Sequence, residues 1–261
     1  MPFEHAILSN VGRIRNRNED LAAAKAELGL FILADGMGGH PDGNLAAQIA
    51  VDTVLHYLTG EVKGRPRDRG QKLANAIHEA NAAILARADT SNGKPGMGTT
   101  LACVWLGKRF VYVAHVVDSR AYRIRNGEAV QLTHDHTVVQ TLVDRGQLDA
   151  DAPEASQFGH ILTQAVGLES AVKPEVSRHP ANVGDVYLLC SDGLSDLVAD
   201  ERIARAVAGA SDLQAAADRL VSEALEAGGH DNVTVVLARV GQAQRVESAR
   251  ASAQGKAETV D

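Results

Sequence analysis

Apolar residues along the chain fall into blocks of different period. Residues 29–34, Gly-Leu-Phe-Ile-Leu-Ala, are continuously apolar over strand length and predict a buried strand. Over 41–58 the apolar positions Ala46, Ala47, Ala50, Val51, Val54, Leu55 and Leu58 recur at three and four, with Pro41 suited to a first helical turn. Leu73, Ala76, Ile77, Ala80 and Ile84 repeat that spacing, and the segment ends in the loop Ser91-Asn92-Gly93-Lys94-Pro95-Gly96. Two amphipathic helices, each packing one face on the core, are therefore predicted. Strands return at 101–106, 110–117 and 121–124, the last before Asn126-Gly127, a hairpin dipeptide, so an antiparallel meander is expected. Residues 134–160 are polar and rich in Asp, His and Gln around one helical stretch, too long a connection to be purely structural, which predicts a flap. A strand at 186–190, a helix near 213–225 and a closing strand at 233–240 complete one domain over 1–240. Residues 241–261 have no apolar stripe and read as a disordered tail.

Composition narrows the classes. With 261 residues, 45% hydrophobic and 23% charged, the chain has an ordinary globular make-up and can bury a sizeable core. Its net charge of −7 gives no basic footprint for nucleic acid or an anionic lipid surface, so neither is an expected partner. Phosphate chemistry on so acidic a chain would need bound cations. No apolar run approaches the roughly 18 residues of a membrane span, and Met1-Pro2-Phe3-Glu4-His5 lacks a basic-then-apolar leader. A cytoplasmic monomer is the expectation. Cys103 and Cys190 lie inside apolar runs and read as buried free thiols.

The candidate chemistry lies in acids at element boundaries. Apolar strands run into Asp35, into Asp118 and, through Ser191, into Asp192, while Asn18-Glu19-Asp20 and Asp231-Asn232 place further acids beside other strands. A lone Asp-Gly, as in Asp35-Gly36 or Asp192-Gly193, is an ordinary turn pair; five or six such acids suggest one cluster. Converging carboxylates in a partly buried site repel one another unless they protonate or share a cation. All-oxygen ligands without Cys or paired His favour Mg²⁺ or Mn²⁺. His40, His134 and His136 read as polar loop histidines. The stretch Asp35-Gly36-Met37-Gly38-Gly39-His40 has neither P-loop nor dinucleotide spacing, and its glycine lets the carbonyl of Gly36 approach a metal. Arg13, Arg15 and Arg17 alternate and would share one face of an extended strand, which leaves the choice among them open.

Taken in order, these fragments resemble the metal-dependent protein phosphatases of the PPM or PP2C type, in their compact bacterial form. Ser9-Asn10-Val11-Gly12 with Arg15 and Asn18-Glu19-Asp20 is similar to the family's first motif, and Asp35-Gly36-Met37-Gly38-Gly39-His40 to its second. Gly98-Thr99-Thr100-Leu101, Asp118-Ser119-Arg120-Ala121-Tyr122, Leu132-Thr133 with Asp135-His136, Leu162-Thr163, Ser191-Asp192-Gly193-Leu194 and Asp231-Asn232 follow in the family's order. The resemblance spans about residues 5–240 and implies an α+β fold, a β-sandwich of two antiparallel sheets flanked by helices on both sides (four-layer αββα). It also implies hydrolysis of phosphoserine and phosphothreonine in proteins by a hydroxide activated between two Mn²⁺ or Mg²⁺ ions, without a phosphoenzyme. By resemblance Asp35 bridges the ions, Glu19 and the carbonyl of Gly36 hold one, and Asp192 and Asp231 hold the other. Asp20 orients bound water one layer out, Asp118 serves a third ion, and Arg15 binds the phosphate. Phosphorylated proteins, a serine/threonine kinase among them, are the implied partners.

The chain departs from the family pattern at four places. Met37 stands where many eukaryotic members carry a histidine acid, Asn44 where Glu is common, and Gln164 where Arg is common. Val117 stands where the family usually has glycine, and a β-branched residue is not expected at positive φ. A non-catalytic phosphoprotein-binding module on the same fold is the competing reading, but degenerate members lose metal ligands and Glu19, Asp35, Asp192 and Asp231 are all present. A phosphodiesterase or nuclease would use similar acids but should carry positive charge for its polyanion.

Overall fold

The computed structural model describes residues 3–37, 41–60, 68–89, 97–149, 152 and 161–241. Within them the chain forms two antiparallel sheets. One has the order β1 (Glu4–Asn10), β11 (Val233–Arg239), β10 (Val186–Cys190), β7 (Arg120–Arg125), β8 (Glu128–Gln131). The other runs β2 (Asp20–Lys25), β3 (Leu30–Met37), β5 (Leu101–Leu106), β6 (Phe110–Val116), β9 (Glu175–Pro180), with the short β4 (Gly98–Thr99) also on β3.

Side-chain alternation along the strands builds the layers. On β3, Leu30, Ile32 and Ala34 face outward into a cluster with α1 (Pro41–Thr59) and α2 (Arg69–Asp89), while Phe31 and Leu33 face the second sheet. On β10 and β11, Leu188, Cys190, Val235 and Leu237 pack against the helices Asp200–Ala208 and Leu213–Glu226, and Tyr187, Leu189, Val236 and Ala238 point inward. The order is helices, sheet, sheet, helices, the four-layer αββα sandwich expected from the resemblance. Two small helices, α3 (Val138–Asp144) and α4 (Asp192–Ser195), precede those two, which are α5 (Asp200–Ala208) and α6 (Leu213–Glu226).

The two-sided burial of β3, β5 and β10 is why they read as continuous apolar runs. Four differences from the sequence reading have physical causes. The expected meander is broken: β5 and β6 pair in one sheet and β7 and β8 in the other, so the chain changes sheets across Val117, Asp118 and Ser119. Sheets pack about 10 Å apart, so three residues must turn sharply, and Val117 does so at φ 85. That conformation costs a β-branched residue about 1–3 kcal/mol. Asp35-Gly36 is no turn, because β3 continues to Met37. Asp192-Gly193 opens α4, with Ser191 at its N-cap position. β9, whose residues alternate between exposed and half-buried, has no apolar run to betray it.

The segment expected to form a flap is braced at its base. Val138 N–H donates to the Ile161 carbonyl (2.8 Å) and Thr163 N–H to the His136 carbonyl (2.9 Å), while His136 N–H reaches the Val117 carbonyl (3.0 Å). Residues 134–137 are thus tied to the core, and the excursion itself starts at α3. Residues 150, 151 and 153–160 of the flap, the loop 91–96, Gly38-Gly39-His40 and the tail from 242 lie outside the described residues.

Leu33 tests the placement of the inter-sheet core. Leu33→Ala, at a fully buried position, should cost about 2–5 kcal/mol in urea unfolding, and Leu28→Ala, at a surface position, less than about 1 kcal/mol. Similar costs at the two positions would contradict it.

Candidate active site

The alternation that fills the inter-sheet core continues past its apolar end and brings polar residues to one mouth of the sandwich. Ala24 and Ala22 on β2 lead to Asp20; Phe31 and Leu33 on β3 to Asp35; Val104 and Ala102 on β5 to Thr100. Ala238 and Val236 lead to Thr234 and Asn232, Ile7 to Ser9, and Tyr187 and Leu189 to Ser191. Asp20 and Asp35 are direct partners in the β2–β3 register.

Hydroxyls fix these acids. Ser191 Oγ donates to Asp20 Oδ2 (2.8 Å) and accepts from Thr234 N–H (3.0 Å), and Ser9 Oγ meets Thr234 Oγ1 at 2.7 Å. Thr100 Oγ1 accepts Asp35 N–H (2.9 Å) and meets Ser119 Oγ at 2.7 Å. Asn232 is buried and holds both ends of the segment that carries Arg15. Its Oδ1 accepts Glu19 N–H (2.8 Å), and its Nδ2 donates to the Val11 and Arg17 carbonyls (2.9 Å each). Sequence reading had Asn232 only as part of a motif and missed these roles for Ser9, Thr100, Ser119 and Thr234; extending strand alternation into the polar residues would have found them.

Gly36 and Gly43 let three segments meet. A Cβ on Gly36 would collide with the Gly43 carbonyl in the first turn of α1, and one on Gly43 would collide with the Glu19 carboxylate. Gly36 N–H donates to the Glu19 carbonyl (3.1 Å). Close approach, not a turn, demands glycine here.

The predicted residues Arg15, Glu19, Asp20, Asp35, Gly36, Asp118, Asp192 and Asp231 converge on this mouth. Burial first, then Asp20, Asp192, Asp118 and Asp231, push the Asp35 carboxyl well above the usual range. Asp192 is driven the same way by burial and then by Asp118, Asp196, Asp231 and Asp20. Asp118 is pushed up to about 7 by burial, with Asp135 and Asp196 adding to it, and burial also raises Asp20. Asp20 Oδ1 and Asp192 Oδ1 are buried without a hydrogen-bond partner among the described residues. A hard divalent cation with its bound water fits such a donor set: the ion would engage Asp192 Oδ1, its water Asp20 Oδ1, and its charge would offset the mutual repulsion.

Of the three arginines, Arg15 is the one at the acids: its Nη2 lies 2.6 Å from Asp231 Oδ2, and its side chain is half exposed. That hydrogen bond holds the guanidinium pKa above its ordinary value, with Asp231, Glu19 and Asp192 adding charge. Arg13 turns away and donates to the Leu225 carbonyl (2.8 Å). Of the histidines, His134 pairs with Asp144 (2.7 Å) and His136 stacks on His115, while His40 is outside the described residues.

Raised carboxyl pKa values give the metal-free protein a signed pH dependence. A group whose folded pKa exceeds its unfolded one contributes stability below the unfolded value, near 4, and loses it as pH rises through the folded value. Asparagine resembles the protonated acid. In chelator, Asp118→Asn should gain stability relative to wild type between about pH 4 and about pH 8, following the Asp118 pKa of about 7. A wild-type-minus-variant difference that does not change with pH in thermal unfolding would contradict the burial argument.

The sequence profile of the family Protein phosphatase 2C matches residues 15–232. Serine/threonine protein phosphatase PstP of Mycobacterium tuberculosis is 41% identical over 239 residues, 91% of this chain but 45% of that protein, so the chain spans less than half of this relative. Protein phosphatase PhpP of Streptococcus pneumoniae is 34% identical over 90% of this chain and 96% of its own length. The crystal structure of the PstP catalytic domain in complex with two manganese ions superposes with a TM-score of 0.81 at 40% identity, covering 92% of this chain and 99% of that one. With that profile across most of its length, and the family's fold beneath it, this chain belongs to the protein phosphatase 2C family.

Proposed function

We propose that this chain hydrolyses phosphoserine and phosphothreonine in proteins with two Mn²⁺ or Mg²⁺ ions at the acidic mouth of the sandwich. The observation that carries the reading is the convergence of buried carboxylates, two of them with unpartnered oxygens, beside a half-exposed arginine. Asp35 is the shared ligand, Glu19 and the Gly36 carbonyl hold one ion, Asp192 and Asp231 the other, and Asp118 a third. Asp20, hydrogen-bonded through Ser191, orients water beside them. Bound there, the ions supply charge neutralisation and a water far more acidic than the bulk value of about 15.7.

The chain's own groups do the rest. Arg15 can hold two phosphate oxygens in its planar fork. A cation held by Asp231 would compete with that guanidinium for Oδ2 and would leave more of the fork to phosphate. No acid stands at Met37, which leaves protonation of the departing alcohol to a water or another group. A cysteine phosphoenzyme is disfavoured, because burial pushes both the Cys103 and Cys190 thiols up to about 12. The complete acid set argues against a non-catalytic binding module. The reading extends to phosphorylated proteins, a serine/threonine kinase among them, as partners of a cytoplasmic, monomeric signalling enzyme. Among the described residues no helix is long and apolar enough to cross a membrane, and a net charge of −7 gives no attraction to an anionic lipid surface. The flap would tune the choice among protein substrates through contacts beyond the ions.

Asp35→Asn or Asp192→Asn should leave a folded protein whose kcat/KM on a phosphoserine peptide with Mn²⁺ falls more than about tenfold, a loss above roughly 1.4 kcal/mol. Retention of more than about a tenth of wild-type kcat/KM would remove the metal roles. Arg15→Lys should impair turnover more than Arg13→Lys or Arg17→Lys. If a neighbouring substitution proves the more damaging in the same assay, the phosphate clamp belongs there.

A further inference from the structure

Asp118 reaches the acid mouth by way of a residue in an unfavourable conformation. Val117 sits at φ 85 where the chain changes sheets, and the family's usual glycine would take that shape freely. Something must hold Val117 there. Its N–H donates to His136 Nδ1 (3.0 Å), and its carbonyl accepts His136 N–H (3.0 Å), so one residue grips both sides of the strained peptide. His136 is in turn anchored by Thr163, whose N–H and hydroxyl both donate to the His136 carbonyl (2.9 and 3.0 Å).

The network also assigns the tautomer. Gln164 Oε1 accepts Lys173 N–H (2.9 Å) and its Nε2 donates to the Lys173 carbonyl (3.2 Å), which fixes the amide orientation. The group 2.8 Å from His136 Nδ1 is therefore the Gln164 NH₂. Two N–H donors, from Val117 and Gln164, converge on one ring nitrogen, which must carry a lone pair. The imidazole is thus neutral with its proton on Nε2, 3.9 Å from Glu175 Oε2. Burial, then the neighbouring His115, lower its pKa to about 4, in keeping with that form.

Ligand atoms of His115, His136 and Glu175 lie within 4.8 Å of one another, but the cluster makes a poor metal site. Its two rings stack at 4.8 Å with an interplanar angle of 15°, so their lone pairs lie in separate, nearly parallel planes, and His115 Nε2 is taken up by the His134 carbonyl (2.7 Å). His136 Nδ1 is already engaged.

We propose that His136 is a positioning residue for Asp118: as the Nε2–H tautomer it clamps Val117 at positive φ, doing for this chain what glycine does for its relatives. The inference rests on the proposed role of Asp118 at the metal site. Gln164, which stands at a position where the family commonly has arginine, belongs to the same device by steadying the His136 ring.

The test is a double-mutant cycle on the full chain, pairing His136→Gln with Val117→Gly and reading kcat on an aryl phosphate with Mn²⁺. Asparagine can present a carbonyl near the place of Nδ1; glutamine, one carbon longer, cannot. His136→Gln should lower kcat about tenfold against wild type but less than about threefold in the Val117→Gly background, with KM little changed. His136→Asn should retain most of kcat. A ratio of the two losses of about threefold or more supports the clamp, and any smaller ratio overturns it. A second readout needs no turnover. In ¹⁵N NMR of the metal-free chain near neutral pH, a coupling across the hydrogen bond should join the Val117 amide nitrogen to His136 Nδ1, with the proton on Nε2. A proton on Nδ1, or no coupling, overturns the proposal. Should wild type show no metal-dependent hydrolysis, the phosphatase reading fails separately and the NMR result still decides the clamp.

Discussion

Carboxylate repulsion at the mouth of the sandwich is the constraint on which the other features depend. Asp20, Asp35, Asp118 and Asp192 are brought together where two sheets exclude water, and each is raised above its ordinary pKa for that reason. Such a cluster is unfavourable for the fold by itself, since an uncompensated buried ion costs several kcal/mol. The surrounding structure answers part of it with donors, Ser191 on Asp20 and Arg15 on Asp231, while Thr100 and Asn232 accept the N–H groups of Asp35 and Glu19 and so fix the backbone that carries those acids. The donors stop short of full satisfaction at Asp20 Oδ1 and Asp192 Oδ1. An apolar or fully paired arrangement would be more stable and would hold no cation. The shortfall is what a divalent metal can use.

Much of this was legible in the sequence because burial on both faces leaves a strong signature. β3, β5 and β10 read as apolar runs, α1 and α2 as stripes of period three and four, and the acids as abrupt stops of the apolar runs. The ordered motifs gave the family and, with it, the four layers. Topology was less visible. Nothing in the run from Leu101 to Ile124 marks a change of sheet, because a strand leaving one sheet and a strand entering another are equally apolar. β9 was hidden by its polar, half-exposed alternation. Asn232 was hidden for another reason: its partners Val11, Arg17 and Glu19 lie more than two hundred positions away, and no local pattern encodes that distance. The choice of Arg15 over Arg13 depends likewise on Leu225, which draws Arg13 aside.

Val117 shows how a local rule can be broken and compensated. A β-branched residue at positive φ is unfavourable by about 1–3 kcal/mol, and each net hydrogen bond contributes about 0.5–1.5 kcal/mol. The pair of bonds to His136 is therefore of the right size to hold the conformation, though not to leave much surplus. Glycine would remove the strain and also the need for the brace. With valine the turn depends on a residue nineteen positions further on, at the root of the segment read as a flap.

That dependence joins two parts of the molecule that the sequence presents as separate. The flap springs from residues bonded on one side to Val117 and on the other to Ile161 and Thr163, so its root and the backbone of Asp118 share one hydrogen-bonded row. A force that displaces α3 or the strand partner Leu162 is carried to Val117 through bonds of about 3 Å, not through a compliant loop. Rigid connections of this kind transmit small shifts because neither end can absorb them by rotamer change. Asp118, which enters the mouth from the sheet change, lies next to that row, whereas Asp35 is fixed by its pairing with Asp20 on β2 and by its carbonyl, which accepts Thr100 N–H (2.8 Å).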